Sequence, residues 1–238
     1  MLSKDFTIRT LKSFAVTVDG KKLTDKYLAK ADGNSDEGYN KNYAVYKIPA
    51  LFKGSHDLKF KSDIAETHDY NINITTSTSE YYSFIDPEVK KSVKKEMENK
   101  SKEIINTMYQ SAIEDKNFSE LKLEYKINED AKDEIEDEYE DLMENVDKTS
   151  YSWDISVKKL NIKEFKISNE SSYVNMGNIQ VSHSFEMEYE GEFLKKKNDK
   201  DEKETDTGKT YGRVQYEYID GEWQITDINP GSIYKSWY

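Results

Sequence analysis

The stretch from Asp86 to Asp115 constrains this chain more than any other. Asp86-Pro87-Glu88 reads as a helix start. A capping carboxylate comes first, then a proline where a missing N–H costs nothing, then an acid in the first turn. Val89, Val93, Met97, Ile104, Met108 and Ala112 follow at spacings of four, four, seven, four and four. Those spacings trace one face of a long amphipathic helix. The residues before it read as β, and those after it read as a second helix followed by long strands. The segment is therefore expected to open a second domain, with boundaries at 1–85 and 86–238.

Composition narrows the function classes. Of the residues 35% are hydrophobic and 34% charged, yet 18 Tyr, 9 Phe and 3 Trp supply the large side chains that a small core needs. A net charge of -12 disfavours a sequence-independent grip on nucleic acid and electrostatic docking to an anionic membrane. Solubility is the simpler use for such a charge. The absence of cysteine excludes disulfides, thiolate nucleophiles and thiolate metal ligands. No run approaches the roughly 18 apolar residues of a membrane span. Met1-Leu2-Ser3-Lys4 has no apolar h-region, so an exported protein of this sequence is expected to take its targeting segment from outside this chain.

Residues 1–85 read as short strands. Phe14 to Val18 is β-prone, and Asp19-Gly20 is a hairpin signal with a return at Lys21-Lys22-Leu23. Ala31 to Asn42 has loop composition, and Tyr43 to Ile48 is a strand that Pro49 ends or marks as an edge. Phe52-Lys53-Gly54-Ser55-His56 reads as a turn before an alternating strand at Leu58 to Lys61. Tyr70, Ile72 and Ile74 share a face of another. About six strands at roughly ten-residue spacing indicate a small β-sandwich.

In residues 86–238 the first helix is expected to end near Lys116-Asn117, with a connection from Phe118. Ile135, Tyr139, Leu142 and Val146 mark the buried face of a second helix at about 129–145. Eleven of the residues from Glu129 to Asp147 are Asp or Glu, but no glycine is present for a calcium loop, so a solvated helix face is the expectation. From Ser150 the period becomes two. Trp153, Ile155 and Val157 form one strand, and Leu160 to Ile167 another. In the strand from Ile179 to Phe193, Ile179, Val181, Phe185, Met187 and Tyr189 share one face. Lys195 to Lys209 reads as a flexible polar hairpin tip. Val214, Tyr216 and Tyr218 lie on the returning strand, Asp220-Gly221 turns, and Glu222 to Ile228 closes.

Two helices, long antiparallel strands and the closing hairpin from Tyr216 to Ile228 resemble the NTF2-like (cystatin-like) α+β superfamily. The resemblance implies an α+β chain: a small N-terminal all-β sandwich followed by an NTF2-like domain, its helices packed on a curved antiparallel sheet. The Val16–Leu23 and Tyr46–Phe60 segments, with Gly54-Ser55-His56, also resemble the extracellular region of TcaA-type membrane-anchored proteins of Gram-positive bacteria. That resemblance implies an envelope location, outside the membrane, with membrane attachment only through a segment absent from this chain. It implies a cell-wall polymer, a peptide or another envelope protein as partner.

Candidate chemistry is sparse. His56, His68 and His183 share no metal-ligand spacing, and neither a metal nor a cofactor is expected. No phosphate loop, basic patch or Ser-His-Asp order is present. His183 falls in step with Val181 and Phe185, and pointing inward it could pair with a carboxylate as an acid/base. The resemblance to NTF2-like enzymes implies an Asp or His base and a Tyr donor inside a cone. Asp154, Tyr173, His183, Tyr216 and Asp227 are the candidates, with His183, Tyr173, Tyr216 and Asp154 carried as ligand-binding residues. The reading is a non-catalytic exported binding or sensing module. A cone enzyme using His183 and a structural spacer are its alternatives.

Overall fold

The structure is a computed structural model describing residues 2–29, 42–75, 81–148, 155–197 and 200–233. Among the described residues, twelve strands and two α-helices follow one another. They are β1 (Leu2–Leu11), β2 (Ala15–Val18), β3 (Lys21–Lys22), β4 (Tyr43–Phe52), β5 (Gly54–Lys61), β6 (His68–Ile74), β7 (Tyr81–Phe84) and α1 (Lys91–Ile113). Then come β8 (Lys126–Ile127), α2 (Lys132–Asp147), β9 (Ile155–Asn175), β10 (Asn178–Lys197), β11 (Lys200–Ile219) and β12 (Glu222–Asn229). The chain divides into two compact units, Met1–Val93 with Ser172–Gln180, and Lys94–Ser171 with Val181–Tyr238.

The first unit contains two sheets, of order β4-β1-β7 and β3-β2-β5-β6. β1 is central, antiparallel to β4 and parallel to β7. Phe6, Ile8 and Thr10 alternate inward along it. Pro49 lies within β4, an edge strand, and the β1–β4 pairing passes over it, from Lys4 opposite Ala50 to Phe6 opposite Ile48. The interior is aromatic: Phe84 packs on Phe60 at 4.6 Å and on Phe14 at 5.1 Å. The β2–β3 turn has positive φ at both Asp19 and Gly20, the conformation that an Asp-Gly pair favours in a two-residue hairpin. Asp19 also fastens this turn to β5. Its Oδ1 accepts from Asp57 N at 3.0 Å and its Oδ2 lies 2.7 Å from His56 Nδ1.

The helix expected from Asp86 begins instead at Lys91. Val89 is buried, but as an extended residue bridged to Ala65. Glu66 N donates to Glu88 O and Lys90 N to Ile64 O, so these backbone groups are committed to a β-type bridge before the helix can start.

The second unit holds a five-stranded sheet of order β8-β12-β11-β10-β9. Its core combines Met97, Ile104, Ile105, Met108 and Tyr109 of α1, Ile135, Tyr139, Leu142 and Val146 of α2, and Val181, Phe185, Met187, Val214, Tyr216, Ile225 and Ile228 of the sheet. The pairing of β11 with β12 shifts register between Gln215 and Tyr216, opposite Thr226. This bulge puts Ile225 and Ile228, three residues apart, both inside.

The expected α+β class with an NTF2-like second domain is not met. The structure is mostly β, with 56% strand and 24% helix, and the described residues form two α-helices and three sheets. Part of the reason lies in β1 and β7, which the sequence did not single out. Part lies in the polar run Lys195 to Lys209, expected as a loop but taken up by β10 and β11 wherever it is described. Lys209 there bonds Glu186 at 2.8 Å and Glu188 at 2.6 Å, so cross-strand ion pairs replace apolar alternation on a solvated face.

Candidate functional site

Two of the residues expected to bind ligand meet in the second unit. His183 and Tyr216 are both fully buried, and Ser101 of α1 sits between them. Ser101 Oγ–H donates to Met97 O, one turn back on the helix, at 2.9 Å. The same Oγ lies 2.8 Å from Tyr216 OH and 3.1 Å from His183 Nδ1, so one hydroxyl joins a helix carbonyl, a phenol and an imidazole. His183 Nε2 has no hydrogen-bond partner among the described residues. Glu170 Oε2 stands 3.5 Å from that nitrogen while Lys94 Nζ holds Oε1 at 2.8 Å. Burial pushes the His183 pKa down and outweighs the opposing pull of Glu170, so the ring is neutral.

Serine, histidine and carboxylate thus stand in a row, but the row is closed to a substrate. Nucleophilic catalysis needs a hydroxyl that a substrate can reach. Neither Ser101 nor His183 has exposed surface. The constellation is a closed structural network that ties α1 to β10 and β11.

The other expected site residues lie apart from it. Tyr173 belongs to the first unit and is 45% exposed. Asp154, like Trp153, lies outside the described residues. Asp227 is turned by the bulge to the outer side of β12, where Oδ2 accepts from Arg213 Nε at 2.6 Å. His68 packs on Phe84 at 4.9 Å in the aromatic core of the first unit, and His56 is buried in its ion pair with Asp19.

An open site lies one ring away from the buried network. Residues 118–127, which the sequence presented as a connection, begin with a 3-10 turn at Phe118–Glu120, join the edge of the sheet at Lys126–Ile127 and wall a groove of about 410 Å³. Leu121, Leu123, Tyr125 and Ile127 alternate as half-buried residues, with exposed Lys122, Glu124 and Lys126 between them. Phe118 closes one end against Tyr139 at 6.0 Å. Lys132 and Glu136 of α2 form the opposite rim. Tyr125 lies edge-on to Tyr216 at 5.6 Å.

The wall is held at both ends and in the middle. Asn117 N donates to Glu120 Oε2 at 3.0 Å, and Tyr139 OH donates to Lys116 O at 2.9 Å. Burial, with Glu120 and Asp115 nearby, pushes the Tyr139 pKa up to about 12, so the phenol remains a donor. Lys100 of α1 is ion-paired with Glu124. Asn128 N donates to Ile225 O at 2.9 Å and its side-chain amide to Gln224 Oε1 at 3.0 Å. β8 pairs with β12 in parallel and ends the sheet, with no further strand on its outer side among the described residues. An unpaired strand edge beside alternating apolar pockets can receive an extended peptide.

Two larger depressions are more polar. One, of about 510 Å³ on β2, β5 and β6, is lined by groups already satisfied by one another: Asn71 Nδ2 donates to Asp57 Oδ1 at 2.8 Å, and Lys59 pairs with Asp69 at 3.1 Å. The other, of about 590 Å³, is the charged outer face of α1 around Lys100 and Glu103. Among the described residues no cluster of three or more His, Asp or Glu side chains is placed to hold a metal ion.

Comparison with known proteins found no matching family model, no matching curated protein and no matching solved structure.

Proposed function

We propose that the chain is a non-catalytic binding module of an exported bacterial envelope protein, and that its ligand is an extended peptide segment held against β8 in the groove walled by residues 118–127. The observation that carries this reading is the row Leu121, Leu123, Tyr125 and Ile127, half-buried beside the free edge of β8. Edge pairing supplies affinity through the backbone, and alternate pockets supply choice of side chain. The groove is wide enough for a few side chains and its wall is pre-tied, which lowers the ordering cost of binding. The sealed His183 network favours binding over catalysis at the second unit. The envelope setting rests on the resemblance of Val16–Leu23 and Tyr46–Phe60 to TcaA-type extracellular regions.

Selection of a displayed random-hexapeptide library on the folded chain tests the reading. Enriched sequences should carry apolar residues at alternate positions and lose binding to Leu123→Asp. Enrichment of nothing would favour the spacer. Binders indifferent to Leu123→Asp would place the site elsewhere. Protease access to the tagged native protein on intact cells checks the envelope setting.

A further inference from the structure

We infer that the groove is specific for a basic extended segment: apolar side chains directed into the pockets, lysine or arginine directed outward between them. The inference rests on the groove reading above and adds its charge selectivity. Between Phe118 and Asp147 there are 13 Asp and Glu against 3 lysines, so this run of 30 residues holds -10 of the chain's net charge of -12. The wall itself, residues 118–127, is neutral, with Glu120 and Glu124 against Lys122 and Lys126, so the excess lies in residues 128–147, on α2 and the turn before it, where Lys132 and Glu136 form the far rim.

The immediate rim is nearly balanced, and the field comes from the next ring out. Lys126 is neutralised by Glu129 at 3.6 Å, and Lys100 by Glu103 and Glu124. Lys132 stands a helical turn from Glu136. Asp130, Asp133, Glu134, Asp137 and Glu140 are exposed around them, and none is ion-paired with a cation among the described residues. Crowding shows at Glu138, whose pKa is raised by burial and then by the like charges of Asp227 and Asp141. A strand entering beside β8 sends every second side chain outward into this potential. Opposite charge there is attracted, and an acidic strand is repelled.

The test uses two acetylated and amidated hexapeptides with leucine at alternate positions and either lysine or glutamate between them. Binding to the whole chain is read by fluorescence polarisation at low and high salt. The lysine peptide should bind about tenfold or more tightly than the glutamate peptide at low salt, and the gap should narrow as salt screens it. Reversing Asp133, Glu136 and Asp137 to lysine should invert the preference. Ser119→Trp, which fills the groove from an exposed position, should weaken both peptides, as should Leu123→Asp. Equal binding of both peptides, still lost in Ser119→Trp, would overturn the charge inference and leave the groove reading standing. Binding of neither peptide would overturn both. Lysine-peptide binding undiminished by Ser119→Trp and Leu123→Asp would reduce the effect to surface attraction and overturn the inference. Self-association abolished by Ser119→Trp would place a second copy in the groove and overturn it as well.

Discussion

His56 has an acceptor at each ring nitrogen: Asp19 Oδ2 at 2.7 Å from Nδ1 and Phe52 O at 2.6 Å from Nε2. A neutral imidazole can satisfy only one of them. Burial alone would lower the His56 pKa, but the Phe52 carbonyl and the Asp19 carboxylate together raise it. His56 in turn lowers the pKa of Asp19. The histidine's contribution is complete below its unfolded value of about 6.5 and is lost as pH rises through the folded value; that of Asp19 is present above about 3.9 and is lost as pH falls through its own lowered value. Asp19 is about half exposed, which weakens the pair. Asp19→Asn should therefore cost about 1 kcal/mol at pH 5 and progressively less toward pH 8, measured by urea unfolding across that range. A cost independent of pH would show that the imidazolium is not what holds the turn. At Ser101 the prediction is larger. Ser101→Ala strands two buried polar groups, His183 Nδ1 and the Tyr216 hydroxyl, and should cost about 3 kcal/mol, whereas Tyr216→Phe should cost only about 1 kcal/mol. Equal costs would contradict the central place of Ser101 in the network.

At the scale of elements, the stripe on α1 had a gap of seven between Met97 and Ile104. Ser101 fills it, one turn after Met97, on the buried face. A polar residue at an apolar position was the legible sign of the network. The inward face of β10 was readable too, because Val181, His183, Phe185 and Met187 keep strict alternation and all are buried. The side taken by Asp227 was not readable. A bulge opposite Thr226 shifts the period by one residue, and nothing in Gln224-Ile225-Thr226-Asp227 announces it. Close packing where β11 meets β12 gives a sharp test. A Cβ on Gly212 would stand 2.2 Å from Asn229 O and 2.4 Å from Phe185 Cζ, a backbone atom and a buried ring. Gly212→Ala should destabilise by about 3 kcal/mol in urea unfolding. Gly20→Ala meets nothing within 4 Å and bears only the cost of its positive φ, about 1 kcal/mol. Similar losses for the two would contradict the packing described at Gly212.

For the molecule as a whole, the sequence carried the strand-rich first segment and the existence of both helices, because their apolar periods are long and clean. It misled on class because polar strands look like loops. Lys195 to Lys209 has no apolar alternation, and its strand character comes from neighbours that only the folded sheet supplies, such as Glu186 and Glu188 opposite Lys209. The groove was legible in principle: Leu121, Leu123, Tyr125 and Ile127 alternate inside what read as a connection. Four residues at period two beside a two-residue strand are too short a signal to stand out against the helices on either side. The charge was likewise visible as a total and not as a location, since position along the chain becomes position beside a groove only after α2 folds against β12. Amide hydrogen exchange of the whole chain, with and without a saturating peptide selected on it, tests the central claim most directly. Binding along β8 predicts new protection at Lys122 to Ile127, with the first unit unchanged. Protection confined to β2, β5 and β6, or none in 118–136, would contradict the groove as the site.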